Sequence, residues 1–162
     1  MPVARSDHTA TVVDGQIYVV GGVVDNDEGE AVVTDRVHVY DPAAHSWQQL
    51  QSMPSARSSH STAAVDGKIY VTGGFATSGE SSDAFESYDP VINTWTTLAN
   101  LGLARAFHAS AAFKGKLYVF GGYSSRSGRH MDLVEAYSPA SNNWASTADL
   151  PWPIDESVAV AL

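Results

Sequence analysis

Short apolar runs, each bounded by glycine, proline, asparagine or aspartate, follow one another along the whole chain. No stretch keeps apolar residues at a spacing of 3.6 over three helical turns, so the pattern predicts strands rather than helices. In each third of the chain a first run of small residues precedes a bulkier second run. The first runs are 9–13, 61–65 and 109–113, and the second runs are 17–20, 69–72 and 117–120. We therefore expect an all-β protein.

One sequence skeleton recurs three times, beginning with MPVARSDH, MPSARSSH and LGLARAFH. Each copy continues through a hairpin signal and an apolar strand to a glycine pair, and then to Tyr, Pro and Trp. The arginine lies 16 residues before the first glycine in every copy. A fixed period near 50 residues indicates a repeat architecture.

The glycine pair after an IYV-type strand, the Tyr-Asp-Pro triplet and the following Trp together resemble the kelch repeat. The resemblance covers the whole chain and implies that each repeat is one four-stranded blade of a β-propeller. We predict an all-β, kelch-type β-propeller segment with three four-stranded antiparallel blades plus one extra inner strand, which is an incomplete ring. The predicted domain is 1–162, with repeats 1–52, 53–100, 101–149 and a truncated fourth repeat 150–162.

The recurring aromatic residues are expected to form the core of each blade, because they stay in register with the strands. The third strand of each blade ends at Tyr40, Tyr88 or Tyr137, and the fourth carries Trp47, Trp95 or Trp144. The small first runs suit the innermost strands, where blades converge and space is short.

The segment after Asp149 aligns with the start of a repeat, with Ile154 at the arginine position and Ser157 at the histidine position. Its last residues, 158–162, are predicted to form an inner strand. Two explanations stay open: a fragment of a longer propeller, or a half-ring completed by a second copy. The chain offers four inner strands but only three sets of outer strands, and this count favours the fragment. In either case the ring is incomplete, and the missing blades would come from the parent chain or from self-association.

Composition excludes several classes of function. The formal net charge of -9 argues against nucleic-acid binding, and the absence of cysteine excludes a disulfide framework and thiolate chemistry. No apolar run is long enough to predict a membrane span or a membrane partner. No signal peptide is visible, since Met1 already begins a repeat, and the compartment is left open.

The recurring arginines Arg5, Arg57 and Arg105 precede the innermost strands and are expected to ring the channel mouth. That mouth lies on the face that gathers the long loops 23–34, 75–83 and 123–131. Three guanidinium groups there would bind a carboxylate, a phosphate or an acidic peptide. The resemblance implies the same, because protein-binding kelch propellers use arginines at this position for acidic motifs. In the alternative reading each arginine pairs with the neighbouring blade and holds the ring together, and both roles can coexist.

Non-repeating aromatic residues mark a second candidate set on this face. Phe75 and Tyr123 follow glycine pairs, and Phe107 replaces a serine. We predict that these rings form the floor of a ligand site, and the alternative is that they only pack against the rest of the protein.

Metal and cofactor binding are not expected. His8, His60 and His108 recur three residues after the arginines, but equivalent positions on separate blades are too far apart to share one ion. The acidic loop 25–30 lacks the full calcium-loop signature and is interpreted as a solvated loop.

No nucleophile–base pair, carboxylate pair or metal cluster stands out, so the sequence predicts a non-catalytic binding module rather than an enzyme. The expected ligand is a protein or peptide, possibly acidic, on the loop-rich face. The alternative is a carbohydrate-binding or carbohydrate-active propeller, since kelch-like rings also occur in sugar oxidases and sialic-acid mutarotases. The Cys–Tyr crosslink of the copper oxidases is impossible without cysteine, and the Glu-x3-Asp-x3-His iron motif of nitrile-forming kelch proteins is absent.

Overall fold

The computed structural model describes residues 1–160, and this part of the chain contains strands, turns and loops but no helix. No helix in it is therefore available to cross a membrane. In the first repeat the strands are β1 (Thr9–Val13), β2 (Gln16–Val20), β3 (Val23–Asp25), β4 (Ala31–Val33), β5 (Val37–Asp41) and β6 (Ser46–Gln49). In the second they are β7 (Arg57–Ser58), β8 (Ser61–Val65), β9 (Lys68–Thr72), β10 (Phe75–Ala76), β11 (Phe85–Asp89) and β12 (Thr94–Thr97). In the third they are β13 (Ala109–Phe113), β14 (Lys116–Phe120), β15 (Tyr123–Ser124), β16 (Arg129–His130), β17 (Val134–Ser138) and β18 (Asn143–Ser146).

Each repeat forms one four-stranded antiparallel sheet, so the predicted fold class is confirmed. The strand orders are β1-β2-β5-β6, β8-β9-β11-β12 and β13-β14-β17-β18. Two left-handed residues connect the first two strands of every blade, as in Asp14-Gly15 with φ of 49° and 76°. This geometry is that of the hairpin turn which the sequence signals predict.

Register places the recurring tyrosine opposite the recurring tryptophan in every blade. Tyr88 pairs with Trp95 and Tyr137 pairs with Trp144, with ring centroids 5.0 and 5.1 Å apart. Tyr88 and Tyr137 are 1% exposed, which confirms their predicted place in the core.

The apolar core is divided into two clusters, one at each interface between neighbouring blades. The cluster between blades 1 and 2 consists of Val13, Tyr18, Val20, Val37, Val39, Met53, Ile69, Val71 and Tyr88. The cluster between blades 2 and 3 consists of Ala63, Val65, Tyr70, Phe85, Leu101, Leu117, Val119 and Tyr137. Burial of these faces against each other holds the blades together.

The glycine pairs let consecutive blades approach each other closely. A Cβ atom on Gly21 would lie 2.6 Å from the Arg57 carbonyl oxygen, and one on Gly73 would lie 2.4 Å from the Arg105 carbonyl oxygen. The second glycine of each pair, Gly22 or Gly74, donates its backbone N–H to that same carbonyl at 2.8 Å. Only glycine combines this contact with the positive φ of these positions.

The segment after the third blade repeats this contact. Gly122 N–H donates to the Ile154 carbonyl at 2.8 Å, and Glu156 N–H donates to the Phe107 carbonyl at 2.8 Å. Residues 158–160 are not in a strand, however, and Val158 is 98% exposed. The inner strand predicted at 158–162 is thus not formed over 158–160, where no described strand pairs with the segment; residues 161–162 lie outside the described part.

The long loops contain short pairings that the sequence analysis does not predict. In blades 1 and 3 the loop folds back as a hairpin, β3 with β4 and β15 with β16. In blade 2 the loop strand β10 pairs with β7, which contains Arg57, and Phe75 also forms a single bridge to Ser81 within the loop. These pairings give the loop-rich face a defined shape close to the starts of the inner strands.

Candidate functional site

The side chain of Arg57 lies entirely inside blade 2. It is fully buried, and its Nη1 donates to the carbonyl oxygens of Gly73 at 3.2 Å and Ala84 at 2.9 Å. Its Nη2 forms an ion pair with the buried carboxylate of Glu86. Burial lowers the pKa of Arg57 to about 10, which still leaves the guanidinium charged at neutral pH.

Arg105 repeats this arrangement in blade 3. It is fully buried, donates from Nη1 to the Gly121 carbonyl at 3.2 Å, and forms an ion pair with Glu135. Burial lowers the pKa of Arg105, and the Glu135 carboxylate opposes this shift. Glu135 also accepts a hydrogen bond from the Gly102 backbone N–H at 3.1 Å.

Blade 1 differs, because a histidine replaces the glutamate. His38 faces Val19 in the register that Glu86 and Glu135 occupy in their own blades. Arg5 Nη2 lies 2.9 Å from His38 Nδ1, and Arg5 Nη1 donates to the Gly21 carbonyl at 3.1 Å. Burial and the neighbouring Arg5 charge lower the pKa of His38, so a neutral ring accepts from the guanidinium.

The three arginines predicted as a ligand-binding ring are therefore engaged inside their own blades. Arg57 and Arg105 present no exposed guanidinium, while Arg5 is partly exposed. These contacts agree with the structural reading of the arginines, although within a blade rather than between blades. Their binding role stays a prediction.

Two of the recurring histidines, His60 and His108, lie at the blade interfaces. His60 Nε2 lies 3.0 Å from the Thr9 hydroxyl of the preceding blade, and His108 Nε2 lies 2.9 Å from the Thr72 hydroxyl. Burial lowers the pKa of both His60 and His108 to about 3, so both rings are neutral at physiological pH. Residues 1–160 contain no group of three or more His, Cys, Asp or Glu side chains arranged for a metal ion.

A groove of about 390 Å³ opens on the loop-rich face between blades 2 and 3, and we call it the blade 2–3 groove. Its lining residues are Glu80, Ser81, Asp83, Ala104, Ser125 and Arg126. Two backbone-to-hydroxyl bonds join its loops: Ser81 N–H donates to Ser125 Oγ at 2.8 Å, and Ser125 N–H donates to Ser81 Oγ at 3.2 Å. The groove thus holds two carboxylates, two hydroxyls and one guanidinium on loops that are tied together.

Two of the predicted aromatic residues come together next to this groove. The Phe75 and Phe107 rings meet edge to face with centroids 5.2 Å apart, and the Phe75 backbone bridges to Ser81. Phe107 has a φ of 58°, a conformation that bulky residues rarely adopt. Tyr123 lies elsewhere, against His130 at 5.3 Å between ring centroids. A ligand contact for these three residues stays a prediction.

The sequence analysis did not identify the groove residues or the buried glutamates. Glu86 and Glu135 had a signal, because each is a charged residue at the second position of the third strand, directly after a buried apolar residue. Arg126 and Glu80 had none, since they lie in loops that share no pattern between repeats.

Family comparison agrees with the architecture. The model of the KLHDC2/KLHL20/DRC7 Kelch-repeats domain matches residues 1–122, and the Kelch motif matches residues 104–151. The chain belongs to the kelch-repeat family. Its structure is similar to the structure of YjhT, with a TM-score of 0.83 and 23% sequence identity over 93% of this chain and 54% of that chain.

Relatives in sequence include proteins named N-acetylneuraminate epimerase. Those of Shigella sonnei (strain Ss046) and Escherichia coli (strain K12) are each 42% identical over 71 residues. That match covers 43% of this chain and 19% of each relative, so the chain spans only a fraction of their length.

These relatives correct the prediction that the protein is not an enzyme, because they carry the name of one. The prediction rested on the absence of a local catalytic motif. In a propeller the loops of separate blades meet on one face, so side chains far apart in sequence share a groove without leaving a motif.

Proposed function

We propose that this chain is part of a carbohydrate-active kelch propeller that acts on an acidic sugar of the N-acetylneuraminate class and interconverts its forms at the anomeric carbon. The observation that carries the proposal is the 42% identity to proteins named N-acetylneuraminate epimerase. It corresponds to the sugar-active alternative from the sequence. Protein or peptide binding through the loop-rich face stays a prediction.

The chemistry requires two proton transfers. A base removes the proton of the anomeric hydroxyl, and an acid delivers a proton to the ring oxygen as the bond between that oxygen and the anomeric carbon breaks. The open-chain ketone then closes from the opposite face by the reverse transfers. A carboxylate within reach of the anomeric hydroxyl and a protonated carboxyl group within reach of the ring oxygen can perform both steps.

The blade 2–3 groove offers groups of this kind. Glu80 and Asp83 contribute two carboxylates, and its volume lies at the lower end of the range for small-molecule sites, as suits one sugar ring. The partly exposed Phe75–Phe107 pair beside it offers aromatic surface of the kind that packs against the apolar C–H face of a sugar. We assign the proton transfers to Glu80 and Asp83.

The test is the rate of exchange between the two anomers of N-acetylneuraminate, measured by NMR exchange spectroscopy with and without the chain. We expect a protein-dependent acceleration that falls by about 100-fold in the Glu80→Gln and Asp83→Asn variants, the scale of one lost acid–base group. Asp66→Asn is the matched control, because Asp66 is an exposed carboxylate in a hairpin turn away from the groove.

Acceleration that is equal in all variants would reject the groove as the site. If the wild-type chain neither accelerates the exchange nor binds N-acetylneuraminate, the proposed function itself is rejected.

A further inference from the structure

We infer that Arg126 binds the anionic group of the ligand in the blade 2–3 groove, and that the groove therefore selects carboxylate-bearing sugars over their neutral analogues. This inference rests on the proposed function and assigns its specificity to one residue.

The first argument is the availability of the guanidinium. Arg5, Arg57 and Arg105 use their guanidinium groups in hydrogen bonds within their own blades. Arg126 is exposed, lines the groove, and forms no hydrogen bond or ion pair with any residue among 1–160. A guanidinium with all its donors available is suited to bidentate binding of a carboxylate.

The second argument is that Arg126 is held in position. Its neighbour Ser125 exchanges backbone-to-hydroxyl bonds with Ser81 of the opposite loop, and the two hydroxyl oxygens lie 3.1 Å apart. On its other side, Gly128 N–H donates to the Ser124 carbonyl at 2.8 Å and closes the turn that carries Arg126. A residue on a fixed turn loses less conformational freedom on binding than one on a free loop.

The third argument is the distribution of charge across the groove. Glu80 and Asp83 lie on the loop of blade 2, and Arg126 lies on the loop of blade 3. The two carboxylates repel an anionic group and accept hydrogen bonds from hydroxyls, whereas Arg126 attracts the anion. An acidic sugar is therefore oriented with its carboxylate toward blade 3 and its hydroxyls toward blade 2.

The corresponding loop of blade 1 shows that this arrangement is not common to all repeats. It carries four carboxylates and no cation over residues 25–30, and the Asn26 side chain closes it by accepting from the backbone N–H groups of Glu28 and Glu30. That loop repels anions, so the cation of blade 3 distinguishes the blade 2–3 groove.

The experiment compares the binding of N-acetylneuraminate and of its neutral methyl ester by saturation-transfer NMR and calorimetry. Wild type, Arg126→Gln and Arg126→Lys are measured beside Arg129→Gln. Arg129 is the matched control, because it is an exposed arginine of the same loop that does not line the groove.

We expect the wild type to prefer the acid over the ester by about 10- to 100-fold, the scale of a charge-assisted hydrogen bond. Arg126→Gln should abolish this preference and leave ester binding unchanged. Arg126→Lys should retain part of it, and Arg129→Gln should retain nearly all of it.

If the acid binds the wild type but Arg126→Gln behaves like Arg129→Gln, the inference fails and the proposed function stands. If the wild type binds neither the acid nor the ester, the proposed function fails and the inference fails with it.

Discussion

The two blade interfaces share one backbone plan but differ in what surrounds it. In both, the second glycine of a glycine pair donates a backbone hydrogen bond to the next repeat. A buried neutral histidine lies within hydrogen-bond distance of a threonine hydroxyl, and an apolar cluster fills the space between the blades. The interface between blades 2 and 3 lies between two blades that each enclose an arginine–glutamate pair, whereas blade 1 has Arg5 with His38.

The loops above the two interfaces differ more strongly. An acidic, self-closed loop stands over blade 1, while the loops of blades 2 and 3 are tied together around the blade 2–3 groove. The repeats thus keep their backbone contacts constant and place their chemical differences in the loops and in one buried strand position.

The largest expected effect concerns that buried position. Glu135→Ala should lower the free energy of unfolding by about 3–5 kcal/mol, because it leaves the Arg105 charge buried without a partner. His38→Ala should lower it by only about 1 kcal/mol, since a neutral acceptor is lost beside a partly exposed arginine. Urea denaturation of both variants measures the difference.

An Arg105→Met/Glu135→Leu double variant is the control, because removing both charges should restore most of the stability lost by Glu135→Ala. Equal losses in Glu135→Ala and His38→Ala would show that the two kinds of pair are energetically alike.

The effect of pH is expected to be smaller for each pH unit. The pKa values of buried His60 and His108 lie near 3, against 6.5 for an unperturbed histidine. Between these values the unfolded chain binds protons that the folded chain does not. The free energy of unfolding should therefore fall as pH drops below 6.5, by about 1.4 kcal/mol per pH unit for each histidine.

Denaturation at several pH values between 7.5 and 4 measures this slope, and replacing each interface histidine by glutamine should reduce it. His8→Gln should change the slope less, because His8 has no preceding blade beside it within residues 1–160 and is only partly buried. A slope that is unchanged in His60→Gln and His108→Gln would assign the acid sensitivity to other groups.

The smallest expected effect concerns the hydroxyl groups of Tyr88 in blade 2 and Tyr40 in blade 1, which have different contacts. Tyr88 donates from its hydroxyl to Asn93 Oδ1 at 2.7 Å, and Asn93 also holds the end of the preceding blade through Gln51 N–H. The Tyr40 hydroxyl has only a 3.4 Å contact with His45. Tyr88→Phe should cost about 1 kcal/mol and Tyr40→Phe nearly nothing, as thermal denaturation would measure. Equal shifts in melting temperature would contradict the comparison.

Sequence was sufficient for the parts of the fold that repeat. The inner strands 9–13, 61–65 and 109–113 form as predicted, because two short apolar runs joined by left-handed turn residues encode a hairpin locally. The partners of Arg57 and Arg105 could not be predicted in the same way. Their glutamates lie 29 and 30 residues further along the chain, and only the folded blade brings them together.

The candidate site was predictable only in part. The loop-rich face was inferred from strand topology, and Phe75 and Phe107 were named in advance and do meet. Arg126, Glu80 and Asp83 were not, because their proximity depends on bonds between Ser81 and Ser125 across two loops of unrelated sequence. Chemistry that is assembled between repeats leaves no motif within one.

The contact between each glycine pair and the next repeat has an evolutionary consequence. It joins a backbone N–H to a backbone carbonyl, and Ile154 forms it at 2.8 Å as well as Arg57 and Arg105 do. The side chain at that position can therefore mutate without unfastening the neighbouring blade. Whole repeats can therefore be duplicated, lost or exchanged during evolution, because the contact between repeats does not depend on a particular side chain. The loops of each copy can then diversify independently.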